Sequence, residues 1–262
     1  MKMKNLKNYI LGAFAIVALI SCEKEEINED AANNGTKESV KTGIGGSMAQ
    51  FTIIDDYLYT VDYKTLKVFH LANAENPTLL ETIDMGIGME TIFPQDDKLF
   101  IGAQDGVHIY DVSNPRSPEE VSTFEHVTSC DPVIANEQYA FATLRGGTEC
   151  GGNLSELDIL DISNLSNPTV VATSELLNPY GLGFSNTDEN IIYVCDGYAG
   201  LKAYDISDLS DIQVVMENTN LEAVDVIPSG DDLLVVLTKQ GVYQFDSSDP
   251  INLVERSFIP VQ

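Results

Sequence analysis

The chain has 262 residues, with 14 Lys and Arg against 41 Asp and Glu, a formal charge of -27. No block of basic residues offsets that charge, so the surface repels nucleic acid and anionic lipid alike, and a nucleic-acid partner is not expected. A chain of this length is either one large all-β domain or two smaller units, and a repeat that covers nearly all of it favours a single array.

The N-terminus carries Lys2, Lys4 and Lys7, followed by the apolar run Tyr9 to Ile20. That run is short for a membrane span and has the shape of an export signal. It ends in Leu19-Ile20-Ser21-Cys22, which resembles the bacterial lipobox. The resemblance implies cleavage before Cys22 and a diacylglycerol on its sulfur, so residues 1–21 are read as a lipoprotein signal peptide. Removing three Lys and no acids takes the mature chain from -27 to -30. Glu23-Lys24-Glu25-Glu26 resembles the signal by which members of the Bacteroidota send lipoproteins to the outer face of the outer membrane. The expected location is therefore the outer membrane, lipid-anchored and facing the exterior, with the periplasmic face as the alternative. Residues 22–37, rich in Glu, Asn, Asp and Lys, read as a flexible acidic tether.

Beyond the tether one short pattern recurs, seen best in Gly106-Val107-His108-Ile109-Tyr110-Asp111-Val112-Ser113-Asn114-Pro115. Copies stand at Leu157–Asn164 (LDILDISN), Leu201–Asp208 (LKAYDISD) and Gly241–Pro250 (GVYQFDSSDP), with a degenerate first copy at Val68–Asn73 whose His70 takes the Asp place. From His70 through Asp111, Asp161, Asp205 and Asp246 the steps are 41, 50, 44 and 41 residues, the range of propeller blades. Each repeat divides into four apolar stretches separated by turn formers such as Asp96-Asp97, Asp105-Gly106 and Asn114-Pro115. The fold class is therefore all-β, a five-bladed β-propeller of four-stranded antiparallel blades at about 48–83, 90–124, 130–174, 180–218 and 222–260, within a domain of residues 38–262. Glu38–Gly45 mimics Glu81–Gly88, which places Val40 beside the strand Leu253–Ile259 as an aid to ring closure.

The repeats, with Cys130-Asp131-Pro132-Val133, Thr143-Leu144-Arg145-Gly146-Gly147 and Val194-Cys195-Asp196-Gly197, resemble the LVIVD-repeat family of β-propellers over residues 48–260. The family is defined by its repeat, so the resemblance implies a fold and no particular reaction.

The repeated Asp111, Asp161, Asp205 and Asp246 could be taken for a catalytic or metal ring. A carboxylate ending a strand before a turn instead accepts backbone N–H bonds that every blade needs, and the structural role is expected. No EF-hand spacing, H-E-x-x-H, G-x-S-x-G or P-loop occurs, and His70, His108 and His126 do not cluster. No metal or cofactor site is assigned, and the acidic rim of 1–2 hairpins gives calcium only weak support, since none of them has EF-hand spacing. The irregular repeat is the third, where Leu144–Ser155 inserts a long loop. Loops on that side of a propeller share one face. That face would gather Glu90, Asp131, Arg145, Tyr180, Asp196, Tyr198 and Glu222 at the channel mouth as a polar ligand site, with Arg145 able to hold a carboxylate or phosphate bidentately or to pair with Asp131 or Asp196.

The leading expectation is a monomeric, non-enzymatic binding or scaffolding module for a surface protein or small polar ligand. The alternative is a hydrolase or lyase with its acid and base among Asp131, Asp196 and Glu222. Three thiols remain in the exported domain, and a Cys130–Cys150 disulfide is expected, Cys195 staying free, with Cys150–Cys195 as the competing pairing.

Overall fold

The computed structural model describes residues 46–126, 132–147 and 152–261. Every described regular element is a strand, and the strands form five four-stranded antiparallel sheets, each from consecutive strands, arranged as a five-bladed β-propeller. Blade 1 comprises β1 (Phe51–Ile54), β2 (Tyr57–Val61), β3 (Thr65–His70) and β4 (Thr78–Asp84); blade 2, β5 (Met89–Gln95), β6 (Lys98–Ala103), β7 (Gly106–Asp111) and β8 (Glu119–Glu125). Blade 3 comprises β9 (Val133–Ala135), β10 (Tyr139–Arg145), β11 (Ser155–Asp161) and β12 (Thr169–Glu175); blade 4, β13 (Leu182–Phe184), β14 (Ile191–Cys195), β15 (Leu201–Asp205) and β16 (Gln213–Asn218). Blade 5 comprises β17 (Ala223–Ser229), β18 (Leu233–Thr238), β19 (Gly241–Asp246) and β20 (Val254–Pro260).

The repeated motif is the third strand and its exit turn. The register between third and fourth strands shifts at the same place in all blades: Val68/Phe69, Ile109/Tyr110, Ile159/Leu160, Ala203/Tyr204 and Gln244/Phe245. This bulge bends the strand just before the Asp. Asp111, Asp161, Asp205 and Asp246 then each accept the backbone N–H two residues on, from Ser113, Ser163, Ser207 and Ser248 at 2.8–3.0 Å. The hydroxyls of those serines, together with these backbone N–H groups and, at Asp246, Arg256, lower the pKa of all four carboxyls. The repeated acids are turn builders. In the first hairpins Asp55 and Asp96 adopt φ near +50°, the left-handed conformation that Asp tolerates best among residues with a Cβ after Asn.

Packing between blades follows strand alternation. In blade 2, Leu99 and Ile101 face blade 1 and Phe100 faces blade 3, all buried. Buried clusters of this kind join blades 1 and 2, 2 and 3, 3 and 4, and 4 and 5. The boundary between blades 5 and 1 is different. Leu58, Thr60 and Phe69 of blade 1, and Val235, Leu237, Val242 and Gln244 of blade 5, hold the equivalent positions yet stay partly or largely exposed. Blades 2, 3 and 4 bury both faces and the terminal blades one.

Residues 46–50 cross the channel. Ser47, buried, accepts Leu182 N–H on its Oγ at 2.7 Å and bonds the Asp225 carboxyl, while Ala49 O accepts from Ile92 N at 2.8 Å and Gln50 O from Val61 N at 2.9 Å. One short segment thus touches blades 1, 2, 4 and 5. Cys22 and Val40 lie outside the described residues, as do Cys130, Asp131 and Cys150. Cys195 is free and wholly buried, so the Cys150–Cys195 pairing is not formed; burial first, then the charges of Asp225 and Asp196, push its thiol well up.

Candidate functional site at the channel mouth

A cavity of about 220 Å³ opens where the loops entering the first strands converge, lined by Met48, Gln50, Glu90, Thr91, Pro132, Arg145, Pro179 and Tyr180. Glu90 and Thr91 come from the start of β5, Arg145 from the last position of β10, and Tyr180 from the segment leading into β13. Of the residues expected from sequence, Glu90, Arg145 and Tyr180 therefore share one cavity. Asp131 precedes the lining residue Pro132 but is outside the described residues.

Tyr180 is fixed by its backbone: its N–H donates to Cys195 O at 2.8 Å and its carbonyl accepts Thr143 Oγ1 at 2.6 Å. Its ring then carries the Arg145 guanidinium, whose carbon stands 4.1 Å from the ring centroid. Such a stack contributes on the order of 0.5–2 kcal/mol and leaves the edges of the planar guanidinium open for in-plane donors. Arg145 makes no ion pair among the described residues, and its buried Nε has no hydrogen-bond partner. Arg256, by contrast, bridges Asp232 and Asp246 at 2.7 and 2.9 Å. Glu90 accepts from Gln104 Nε2 at 3.3 Å.

Asp196, Tyr198 and Glu222 do not line the cavity. Asp196, completely buried, accepts Leu177 N–H at 2.9 Å, Asn178 N–H at 2.6 Å and Lys202 Nζ at 2.7 Å. Burial opposes the Lys202 charge, but its bond to Asp196 outweighs this and raises its pKa. Asp196 is thus paired with Lys202, not Arg145, and pins the Leu177–Asn178 turn that carries Tyr180. Gly197 completes the support: at φ +52°, it packs where a Cβ would come within 2.4 Å of Asn178 Nδ2 and 3.0 Å of the Tyr180 ring. Tyr198, exposed, reaches Leu177 O at 3.4 Å, and Glu222 pairs with Lys239 at 3.1 Å on the open surface.

Met48, Gln50, Thr91, Pro132 and Pro179 were not singled out by sequence. Met48 and Gln50 precede the first strand and carry no period. Pro132 and Pro179 stand directly before segments that were recognised, and two prolines flanking the entries to adjacent blades was the available signal. The remaining candidate chemistry disperses: His108 bonds Asp105 at 3.1 Å and Thr123 at 2.9 Å, and among the described residues no three His, Cys, Asp or Glu side chains are grouped to hold a metal.

Comparison with known proteins agrees with this architecture. The LVIVD repeat model matches residues 97–126, 152–174 and 187–219, which fall in blades 2, 3 and 4. No curated protein matches the chain in sequence. Among solved structures, a protein from Lactobacillus plantarum is similar at TM-score 0.66 and 16% identity, over 79% of this chain and 69% of that one. A protein of unknown function from Desulfotomaculum acetoxidans follows at 0.63 and 12%, over 84% and 69%. The periplasmic gluconolactonase of Pseudomonas aeruginosa is similar at 0.61 and 12%, over 79% and 68%. At these identities the likeness is one of fold alone. The chain carries LVIVD repeats, folded as the blades of a five-bladed β-propeller.

Proposed function

We propose that this protein is a lipid-anchored binding module of the outer membrane, displayed outside the cell, whose ligand site is the cavity at the channel mouth. The observation that carries the binding role is Arg145: a guanidinium stacked on Tyr180, its Nε unpartnered, at the wall of a cavity in a protein of charge -27. A cation in so acidic a chain has many carboxylates to pair with, and holding it away from them keeps it available to an incoming anion. The anchor rests on residues 1–26, whose basic start, apolar run, Cys22 and acidic Glu23-Lys24-Glu25-Glu26 have the form of a surface lipoprotein leader.

A hydrolase or lyase finds less support. Asp196 is committed to two backbone N–H groups and a lysine, and Glu222 to an exposed ion pair, so neither is poised as an acid or base within reach of the cavity. The likeness to the gluconolactonase, at 12% identity, carries no residue of that enzyme's site to this chain.

The binding reading is tested by thermal shift of the purified protein against small carboxylates. A ligand at a hundred times its Kd stabilises by about 2.7 kcal/mol, and Arg145→Ala should abolish the shift while lowering the unliganded stability by no more than the roughly 0.5–2 kcal/mol of the lost stack on Tyr180. No shift with any carboxylate refutes the reading. Cys22→Ser should abolish fatty-acid labelling, and protease added to intact cells should remove the unmodified protein; label on the Ser variant refutes the anchor, and protection of the unmodified protein refutes the surface placement.

A further inference from the structure

We infer that the protein has a second ligand site at the other end of the blades, a cleft between blades 3 and 4 that takes a neutral saccharide of one or two rings. A cavity of about 570 Å³ opens there, within the roughly 300–1,000 Å³ of small-molecule sites. Tyr139, on its wall, begins the seven-residue strand β10 that Arg145 ends, so at about 3.3 Å per residue the cleft lies roughly 20 Å from the channel mouth. It is a separate site.

The cleft forms where two neighbouring first strands are short. β9 and β13 have three residues each against seven in β5 and β17, so the chain leaves the sheet early at this end of blades 3 and 4. Residues 185–190 are then held to blade 5, Asn186 Nδ2 donating to Gly230 O at 2.7 Å and Thr187 Oγ1 to Ser247 O at 3.0 Å. Among the described residues no hydrogen bond ties them to the β9–β10 hairpin across the gap.

The floor of the cleft is apolar. Tyr139, Phe184 and Ile206 stand half-buried on the core between blades 3 and 4, and Phe184 is set edge-on against Phe141 with ring centroids 5.5 Å apart. Rings fixed in this way offer a flat apolar surface to the C–H face of a sugar.

The rim supplies donors and acceptors together. Asn136 Oδ1 accepts the N–H groups of Gln138 and Tyr139 at 2.9 and 2.7 Å, which fixes the side chain and leaves Nδ2 to donate. The Tyr139 hydroxyl accepts from Gln138 Nε2 at 2.9 Å, which leaves its own proton to give and Gln138 Oε1 to accept. Glu137 and Glu189 are exposed and make no bond to a described residue, and Asn190 rests its Nδ2 on Asp188 and keeps Oδ1 open. A sugar hydroxyl both donates and accepts, so it answers each kind of group. An amine would leave the Asn136 and Tyr139 donors unanswered, an anion would meet carboxylates, and the described acids are not grouped to hold a metal ion.

Saturation-transfer NMR and calorimetry on the full purified chain test the inference, with glucose, galactose, mannose, N-acetylglucosamine, maltose, cellobiose and lactose as probes. At least one should bind, with saturation strongest on the ring C–H protons. Asn136→Asp keeps the acceptor that the turn needs but removes the donor, and should weaken that sugar about five- to tenfold. Tyr139→Ala should weaken it at least as much, and Glu189→Gln, at an exposed position, about threefold or more with Tm unchanged. A carboxylate that binds at the channel mouth should not displace the sugar, so either site can fail while the other stands. Binding of none of the probes, or binding that all three variants leave unchanged, would overturn the inference. Displacement of the sugar by putrescine or by calcium would overturn it too, and assign the cleft to cations.

Discussion

Asp225 is the residue whose removal should change the molecule most informatively. It lies in β17 with Val226 N–H on its Oδ1 at 3.0 Å and Ser47 also bonded to its carboxyl, in a slot so narrow that a Cβ on Gly46 or Gly181 would come within 2.2 or 2.1 Å of its oxygens. Burial pushes its pKa up from 3.8 to about 6, and the bonds from Val226 and Ser47 oppose that rise only in part. The folded protein therefore holds a proton that the unfolded chain releases near pH 4. Because the folded pKa is the higher, stability is greatest below pH 4, declines as pH rises from about 4 to about 6, and has no further dependence on this group above that. A rise of about two units corresponds to roughly 3 kcal/mol, at 1.36 kcal/mol per unit. Asp225→Asn keeps the shape and an acceptor for Val226 while removing the ionisation. At pH 7.5 the variant should be the more stable by up to about 3 kcal/mol, some 6–12 °C in Tm for a domain of this size. At pH 4 the advantage should vanish. Denaturant melts of both proteins between pH 4 and 8 cancel the other carboxylates, and a difference that stays constant with pH would refute the account.

Leu234 and Leu237 lie on the same strand, one wholly buried against blade 4 and the other 41% exposed toward the seam. Leu234→Ala should cost about 2–5 kcal/mol and Leu237→Ala less than about 1 kcal/mol, measured by urea titration; comparable losses would mean that blades 5 and 1 bury a core of their own. Ser47→Ala should destabilise by about 1–3 kcal/mol, since Leu182 N–H is left buried without its acceptor, and hydrogen exchange at Leu182 should accelerate with it. Cys195 should stay unlabelled by a thiol reagent until the protein unfolds, because its thiol is buried and its pKa is raised.

The architecture was legible because a propeller writes the same physics five times. The step from strand into Asx turn is built by an Asp with a Ser two residues on, and the chain spells it in four of five blades, so the periodicity carried the blade count and the strand order. Arg145, Tyr180 and Glu90 were legible for the opposite reason: they stand at blade ends, where the repeat lapses and side chains are free to differ. Asp196 and Glu222 share that placement but not its outcome, since distance along a loop does not reveal whether a carboxylate turns into the cavity or back onto the Leu177–Asn178 amides. Asp225 carried a signal that went unread, a carboxylate inside the apolar run Ala223-Val224-Asp225-Val226. The seam did too. Where blade 2 has Ile101, blade 1 has Thr60, and where blades 1 to 4 have Val68, Ile109, Ile159 and Ala203, blade 5 has Gln244.

Those polar replacements bear on how the ring is held. A boundary with Thr60 and Gln244 at its packing positions gains less from burial than one with Ile101 and Ile109, because each polar group placed there must find a hydrogen bond or keep its water. The chain compensates inside the channel. Residues 46–50 bind blades 4 and 5 through Ser47 and blades 1 and 2 through Ala49 and Gln50, spanning the boundary that the blade faces leave weak. The same segment supplies Met48 and Gln50 to the cavity wall. Ring closure and the cavity wall therefore draw on one five-residue segment and share Gln50, so a molecule bound against Gln50 would also bear on the strap that joins the last blades to the first. If a ligand there tightens the Ser47–Asp225 contact, linkage requires that a change loosening this contact weaken the ligand by the same factor.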